Sequence, residues 1–122
     1  MVDLTILIPH LPHSDVGPNA RKHHFARNNA MQGAKDEMVA ELRSQGGVQD
    51  PLWNRVEIQF VFHCKDKRRR DVDNLIACCK PWIDALTGEV IPDDSVDYVS
   101  KVSGEFVRDS ESFTEVTIKQ LS

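Results

Sequence analysis

Between residues 56 and 63 apolar side chains fall at every second position, beginning with Val56 and ending with Phe62. This period of two predicts a β-strand with one buried face. Weaker forms of the pattern predict three more strands, over residues 4–8, about 97–106 and about 113–121. The first of these ends at Pro9, since proline cannot donate to a regular ladder.

Two other segments carry apolar residues at the spacing of three and four that one face of an α-helix requires. One predicts a helix from about Asn29 to Ser44, ended by Gly46 and Gly47. The other predicts a helix from about Asp73 through Leu86, capped by the Asp73 side chain and kinked or restarted at Pro81. The predicted buried stripes are Met31, Ala34, Met38 and Leu42 in the first helix, and Leu75, Cys79, Trp82 and Leu86 in the second.

These elements predict an α/β protein of the α+β type, with a mixed sheet of about four strands and two main helices. A chain of 122 residues with 40% hydrophobic content fits one domain, residues 1–122. The sequence has no apolar run near 18 residues and no signal-peptide pattern, so we expect a soluble intracellular protein. Three cysteines, two of them adjacent, suit a reducing cytosol and predict small core residues.

The distribution of charge changes the meaning of the net charge. A net charge of −4 alone argues against a nucleic-acid-binding protein, because such proteins are usually basic. The cations are concentrated in residues 21–27 and 65–70, whereas two aspartate pairs lie at 71 with 73 and at 93 with 94. If the aspartates bind divalent ions, the face that carries the cations becomes positive.

The basic run 65–70 leads directly into the first aspartate pair. Carboxylates at i and i+2 of an extended segment project from one side of the backbone. A second acidic pair beside them would complete an oxygen-rich site for Mg²⁺ or Mn²⁺, the hard cations of phosphoryl transfer. The neighbouring arginines would hold phosphates. The residues of this region are Arg68, Arg69, Arg70, Asp71, Val72, Asp73 and Asn74, followed later by Asp93 and Asp94.

Each of these residues also has a simpler explanation. An aspartate such as Asp73 at the start of a helix is often a cap, Asp93 and Asp94 after a proline often form a turn, and a basic run is often a solvated loop. Their joint occurrence favours the metal site. For Lys80, a surface ion pair with Asp84 and a contact with a phosphate are equally good explanations.

A zinc site is the remaining alternative, with His63, Cys64, Cys78 and Cys79 as its ligands. These residues form two adjacent pairs and lack the loop spacing of structural zinc sites. The cysteines are better explained as core residues.

Three motifs, in their order and spacing, carry a family resemblance. They are Arg69-Arg70-Asp71-Val72-Asp73-Asn74-Leu75, then Lys80-Pro81-Trp82-Ile83-Asp84-Ala85-Leu86 with Gly88, then Asp93-Asp94-Ser95. Together they resemble the RusA family of Holliday junction resolvases, which is common in bacteriophages and prophages. Upstream, Pro18-Asn19-Ala20-Arg21-Lys22-His23 resembles that family's N-terminal DNA-contacting loop. The resemblance covers nearly the whole chain.

The resemblance implies a homodimeric endonuclease that depends on Mg²⁺ or Mn²⁺ and nicks four-way junctions in recombination or repair. By position, Asp71, Asp73 and Asp94 match the family's essential aspartates, and Asp93 is the accompanying acid. The family's lysine follows the second aspartate by about one helical turn. This chain has Ala77 there and Lys80 three residues later.

We therefore predict the following roles. The catalytic residues are Asp71, Asp73, Asp94 and Lys80; the metal ligands are Asp71, Asp73, Asp93 and Asp94; and the DNA contacts are Arg68, Arg69, Arg70, Asn19, Arg21 and Lys22. We expect no organic cofactor and no membrane partner, and we expect the protein in the cytoplasm of a bacterial host. The alternative is a catalytically silent nucleic-acid-binding or partner-binding protein of the same fold.

Overall fold

The computed structural model describes residues 2–17 and 24–122. Its strands are β1 (Asp3–Ile8), β2 (Val56–Cys64), β3 (Val99–Arg108) and β4 (Phe113–Gln120), and its α-helices are α1 (His24–Ser44), α2 (Val72–Ala77) and α3 (Lys80–Asp84). A 3₁₀ turn, Ser14–Val16, follows β1. The predicted mixed sheet packed with two main helical segments is confirmed, the second segment being divided into α2 and α3.

The candidate site residues lie in the connection between two parallel strands. The sheet order is β1-β4-β2-β3, in which β4 is antiparallel to both of its neighbours while β2 and β3 are parallel. Parallel strands require a crossover connection, usually helical, that returns the chain to the starting end. Here residues 65–98 form that connection, which we call the crossover segment. The basic run and both aspartate pairs all belong to it.

The core lies between the helices and one face of the sheet. The β2 residues from Val56 to Phe62 that alternate toward this face are at most 1% exposed, as the period of two predicts. Met38 and Leu42 of α1 and Trp82 of α3 are equally buried. The predicted burial of the three cysteines is also confirmed, since Cys64, Cys78 and Cys79 are buried free thiols. None of the helices in the described ranges is long and apolar enough to cross a membrane.

The second helical segment restarts where proline requires it. Helix α2 ends at Ala77, and α3 begins at Lys80 with Pro81 in its first turn. Pro81 has no amide hydrogen to continue the ladder of α2. The last turn tightens instead, with a 3.0 Å hydrogen bond from the Cys79 amide to the Ile76 carbonyl. The predicted restart is confirmed, and Lys80 begins a new helix rather than extending α2.

Within residues 2–17 and 24–122, no helix covers the opposite face of the sheet. The residues that alternate toward it are half-buried or exposed, unlike those of the core. Leu7 is 49% exposed, and Val61, Val107 and Phe113 are half-buried. We call this surface the open face. Its apolar residues make it a candidate surface for association.

The outer edge of β1 is held by a side chain that follows α1. The Gln45 amide nitrogen donates to the Leu7 carbonyl at 2.8 Å, and the Leu7 amide donates to the Gln45 Oε1 atom at 2.9 Å. The side chain therefore satisfies both main-chain groups of Leu7 that β4 does not use.

Gly104 in β3 lets α2 pack closely on the sheet. A Cβ atom at this position would lie 2.7 Å from Ile76 Cγ1 and 3.1 Å from Phe62 Cε2. The backbone of β3 thus forms part of the surface that positions α2 and its aspartate.

We expect Gly104→Val to destabilise the fold by about 1–3 kcal/mol, because its side chain must displace the half-buried Ile76, which packs against the core. Chemical denaturation should show a lower midpoint. Ser103→Val, which adds the same residue type on the open face, is the matched control and should change the midpoint little. Equal midpoints for the two variants would show that α2 does not pack on Gly104.

Candidate active site

The basic run is organised by Asp66. Arg70 donates to both Asp66 oxygens, at 2.6 and 3.1 Å, and the Arg68 amide donates to Asp66 Oδ1 at 3.0 Å. The hydrogen bond from Arg70, followed by that from Arg68, holds the pKa of Asp66 well below its usual range. Arg108 also donates to the Asp66 carbonyl. The loop is therefore fixed by a carboxylate that sequence reasoning did not single out.

The three arginines of the run are not equivalent. The Arg70 side chain is 15% exposed, and its Nη1 atom also lies 3.1 Å from the Cys64 sulfur. Arg69 is 92% exposed, and its Nε atom lies 4.0 Å from Asp71 Oδ1. Arg68 is exposed as well. Arg68 and Arg69 present their charges to solvent, whereas Arg70 stabilises the loop.

The first aspartate pair lies at the start of α2. Asp71 is the N-cap residue, with extended backbone at φ −104° and ψ 130°, and makes no side-chain capping bond. Asp73 is exposed in the first helical turn. The predicted cap at Asp73 is therefore wrong, because the backbone is already helical at Val72. For the same reason, the two carboxylates do not share an extended segment.

The second aspartate pair meets the lysine of α3. The Lys80 ammonium contacts Asp84 Oδ1 one turn on and lies 3.3 Å from Asp94 Oδ2. The ion pair with Asp84, one of the two explanations of Lys80 from the sequence, is present, and the same lysine also reaches the predicted catalytic aspartate; the phosphate contact stays a prediction. Asp93 is exposed beside this cluster in the sequence. The structure therefore brings together Lys80, Asp84 and Asp94, which we call the lysine-carboxylate cluster.

The two carboxyl groups of this cluster have pKa values that shift in opposite directions. The hydrogen bond with Asp84 is the main cause that lowers the pKa of Asp94. Burial, followed by the same hydrogen bond, raises the pKa of Asp84. The hydrogen bond to Asp84 raises the pKa of Lys80 against the opposing effect of burial. These shifts keep Lys80 charged and make Asp94 a stronger acid than Asp84.

The candidate ligands of this region are of the chemical type that binds a hard divalent ion. All of them are carboxylates, which are the ligands that hard divalent ions prefer. Within residues 2–17 and 24–122, however, no three histidine, cysteine, aspartate or glutamate side chains form a group that could hold a metal ion. The assignment of Asp71, Asp73, Asp93 and Asp94 as ligands stays a prediction.

A cleft of about 650 Å³ lies between the segment after β1 and the basic run. One wall carries His13 and Ser14, and the other carries Arg68, Arg69 and Asp71. The first wall is anchored by His10, which contacts Glu37 of α1 at 2.7 Å and stacks on His13 with ring centres 4.5 Å apart. We call this space the arginine cleft. It places two exposed cations beside a predicted metal ligand.

A separate groove of about 360 Å³ lies between α1 and the two short helices. Its lining residues are Val16, Arg27, Met31, Ile76, Ala77, Lys80 and Ile83. We call it the Arg27 groove. Ala77, at the position of the family's lysine, is one of these lining residues, while the lysine that reaches Asp94 is Lys80.

The remaining predicted residues have different outcomes. The predicted DNA contacts Asn19, Arg21 and Lys22 lie outside the described residues. His63 uses both ring nitrogens on carboxylates, at 2.8 Å to Asp109 and 2.5 Å to Glu115, so neither is left for the alternative zinc site.

Comparison with known proteins gives a family match over most of the chain. Residues 13–119 match the family model described as endodeoxyribonuclease RusA. A relative from Xylella fastidiosa, named an uncharacterized protein, is 29% identical over 85 residues, which cover 68% of this chain and 56% of that protein. The match thus spans a little over half the length of that relative.

Proposed function

Because this chain belongs to the RusA endodeoxyribonuclease family, we propose that it is a divalent-metal-dependent endonuclease that resolves four-way DNA junctions in recombination or repair. The observation that carries the proposal is the contact of Lys80 with Asp94 in the same crossover segment that presents Asp71, Asp73 and two exposed arginines. A cation, carboxylates and phosphate-binding groups are what phosphodiester hydrolysis needs. The proposed place of action is the cytoplasm of a bacterial cell.

The metal ligands in this proposal are Asp71, Asp73 and Asp94, with Asp93 as the accompanying acid. Mg²⁺ or Mn²⁺, when bound, would supply charge neutralisation at the phosphate and an activated water. Asp84 holds the Lys80 ammonium beside Asp94. From there, in this proposal, the ammonium stabilises the negative charge that develops on the phosphate or on the leaving oxygen. The proposal requires Asp71 or Asp73 to come next to Asp94 in the loaded enzyme.

The direct test is incubation of the protein with a synthetic four-way junction and Mg²⁺. We expect paired nicks that yield two linear duplexes, no product with excess chelator, and little cleavage of a linear duplex of the same sequence. Junction binding without cleavage under any divalent ion would instead favour the silent binding protein.

We propose that DNA enters through the arginine cleft, because its two exposed cations lie beside Asp71. Phosphate contacts of this kind give affinity without sequence preference. For Arg70 we propose an indirect contribution to DNA binding. Its guanidinium is bound to Asp66, so it stabilises the loop that contacts the DNA. Asn19, Arg21 and Lys22 remain proposed contacts from the family's DNA-contacting loop.

The double variant Arg68→Gln with Arg69→Gln should weaken binding to all DNA sequences alike. Each lost phosphate contact should reduce the slope of log affinity against log salt by about 0.9 on duplex arms. Fluorescence anisotropy over a salt titration measures both effects. Arg43→Gln with Arg55→Gln removes the same charge from outside the crossover segment and serves as the control. If the two double variants bind equally, the exposed arginines are only a solvated loop.

The active unit is proposed to be a homodimer, because two matched nicks on opposing strands need two sites related by a two-fold axis. The open face is the surface that best supports the proposal, since none of the described helices covers its apolar residues Leu7, Val61, Val107 and Phe113.

A further inference from the structure

The Arg27 groove carries a cation, Arg27, that the proposed chemistry does not use. Arg27 of α1 and Lys80 of α3 both line it, and its described lining includes no acidic side chain. Lys80 is already bound to Asp84 and Asp94. Arg27 differs, because its Nε atom is shielded from solvent and has no hydrogen-bond acceptor among the residues that the structure describes.

An unsatisfied donor on a charged group is costly to keep away from water. Because Nε is closed to solvent, the guanidinium must turn toward the groove to reach an anion, and this turn breaks no hydrogen bond at Nε. A phosphate oxygen is the acceptor that matches a guanidinium best. The groove is therefore electrostatically suited to an anion.

The floor of the groove is apolar. It consists of Val16, Met31, Ile76, Ala77 and Ile83. A ligand that fits both features has an anionic group and a flat apolar part, which is the combination a nucleotide presents. The groove also adjoins the lysine-carboxylate cluster, because Lys80 belongs to both. A DNA strand bound at the lysine-carboxylate cluster extends beyond it in both directions, and the groove lies next to the cluster.

We propose that the Arg27 groove binds the nucleotide next to the cleaved phosphodiester. The phosphate of this nucleotide accepts a hydrogen bond from Arg27, and its sugar or base packs on the floor beside Ala77. This proposal rests on the proposed endonuclease function. The nucleotide site lies on the opposite side of α2 from the arginine cleft, because Asn74 and Cys78 line the cleft while Ile76 and Ala77 line the groove. The two sites would hold the strand on both sides of the helix that carries Asp73.

Anisotropy with a labelled four-way junction in excess chelator tests the role of Arg27 without cleavage. Arg27→Gln should weaken binding about tenfold, as expected for loss of a charge-assisted hydrogen bond. It should also lower the salt slope by about 0.7 to 0.9, depending on whether the contacted strand is single or paired. Arg27→Lys should retain the slope and part of the affinity. Arg55→Gln, which removes one cation from the loop before β2, is the matched control and should bind like the wild type.

A second variant tests the floor without changing charge. Ala77→Leu fills the groove with an apolar side chain on a helix that tolerates leucine, so affinity should fall while the salt slope stays unchanged. Thermal melting of each variant confirms that it is folded.

The possible outcomes separate this inference from the proposed function. If the wild type cleaves junctions but Arg27→Gln and Ala77→Leu both bind like the wild type, the nucleotide site is wrong and the endonuclease proposal stands. If the two variants alter sedimentation rather than DNA affinity, the groove is a contact between subunits and the inference is also wrong. If the wild type does not bind DNA, both proposals are withdrawn.

Discussion

Asp94→Asn is expected to reduce junction cleavage by about a thousandfold or more while leaving junction binding largely intact. The amide keeps the size of the side chain and an oxygen that can accept from Lys80, but it removes the charge that a divalent ion requires. Single-turnover cleavage on a denaturing gel measures the rate, and anisotropy in chelator measures the binding.

The matched control for this variant is Asp36→Asn. Asp36 is an exposed aspartate of α1 whose Oδ1 atom accepts from Gln32 at 2.8 Å, a contact that asparagine can preserve. The control should cleave at the wild-type rate. Substantial cleavage by Asp94→Asn would show that the lysine-carboxylate cluster is structural and that the metal is held elsewhere.

Mixing wild-type chains with a large excess of Asp94→Asn chains should nearly eliminate paired nicking. After subunit exchange, most wild-type chains share a dimer with an inactive partner, so each such dimer cleaves one strand. Nicked junctions should therefore accumulate instead of linear duplexes, as a native gel followed by a denaturing gel would show.

Adding Asp36→Asn chains in the same excess controls for dilution and should leave paired nicking intact. Analytical ultracentrifugation at the assay concentration completes the experiment. A monomer that still makes paired nicks would refute the homodimer proposal and with it the two-fold argument for resolution.

The fold was predictable where burial repeats along the chain. Strand β2 was clear because its apolar residues alternate from Val56 to Phe62. Helix α1 was predicted to start near Asn29, whereas it includes residues from His24 onward. The earlier residues His24, Phe25 and Ala26 are exposed, and apolar spacing detects only a face that is buried.

The candidate site was predictable in its local contacts and less so in its distant ones. Lys80 and Asp84 are one helical turn apart, so their ion pair follows from spacing. The contact of Asp84 with Asp94 depends on the path of the chain after α3, and the spacing of apolar residues does not predict that path. Arg27 was noted only as part of the basic run 21–27, because its groove forms only when α1 packs against α3.

The basic run shows a different limit. Arg70 and Asp66 are four residues apart, yet the consecutive arginines favoured a common role as phosphate clamps. Their side chains diverge because the loop turns around the Asp66 carboxylate, which selects Arg70 and leaves Arg69 exposed. Charge density along a sequence does not show which charges are already paired.

At Leu7, the Gln45 amide makes the two hydrogen bonds that a fifth strand would make on the outer edge of β1. An incoming strand from another molecule would have to displace this amide before it could extend the sheet on that side. The other outer strand, β3, is available in principle but carries Lys101, Glu105 and Arg108, and charges on an edge strand disfavour edge-to-edge growth. The sheet is thus protected against edge-to-edge pairing, at Leu7 of β1 by a side-chain amide and along β3 by charge, which agrees with the proposal that the dimer forms through the open face.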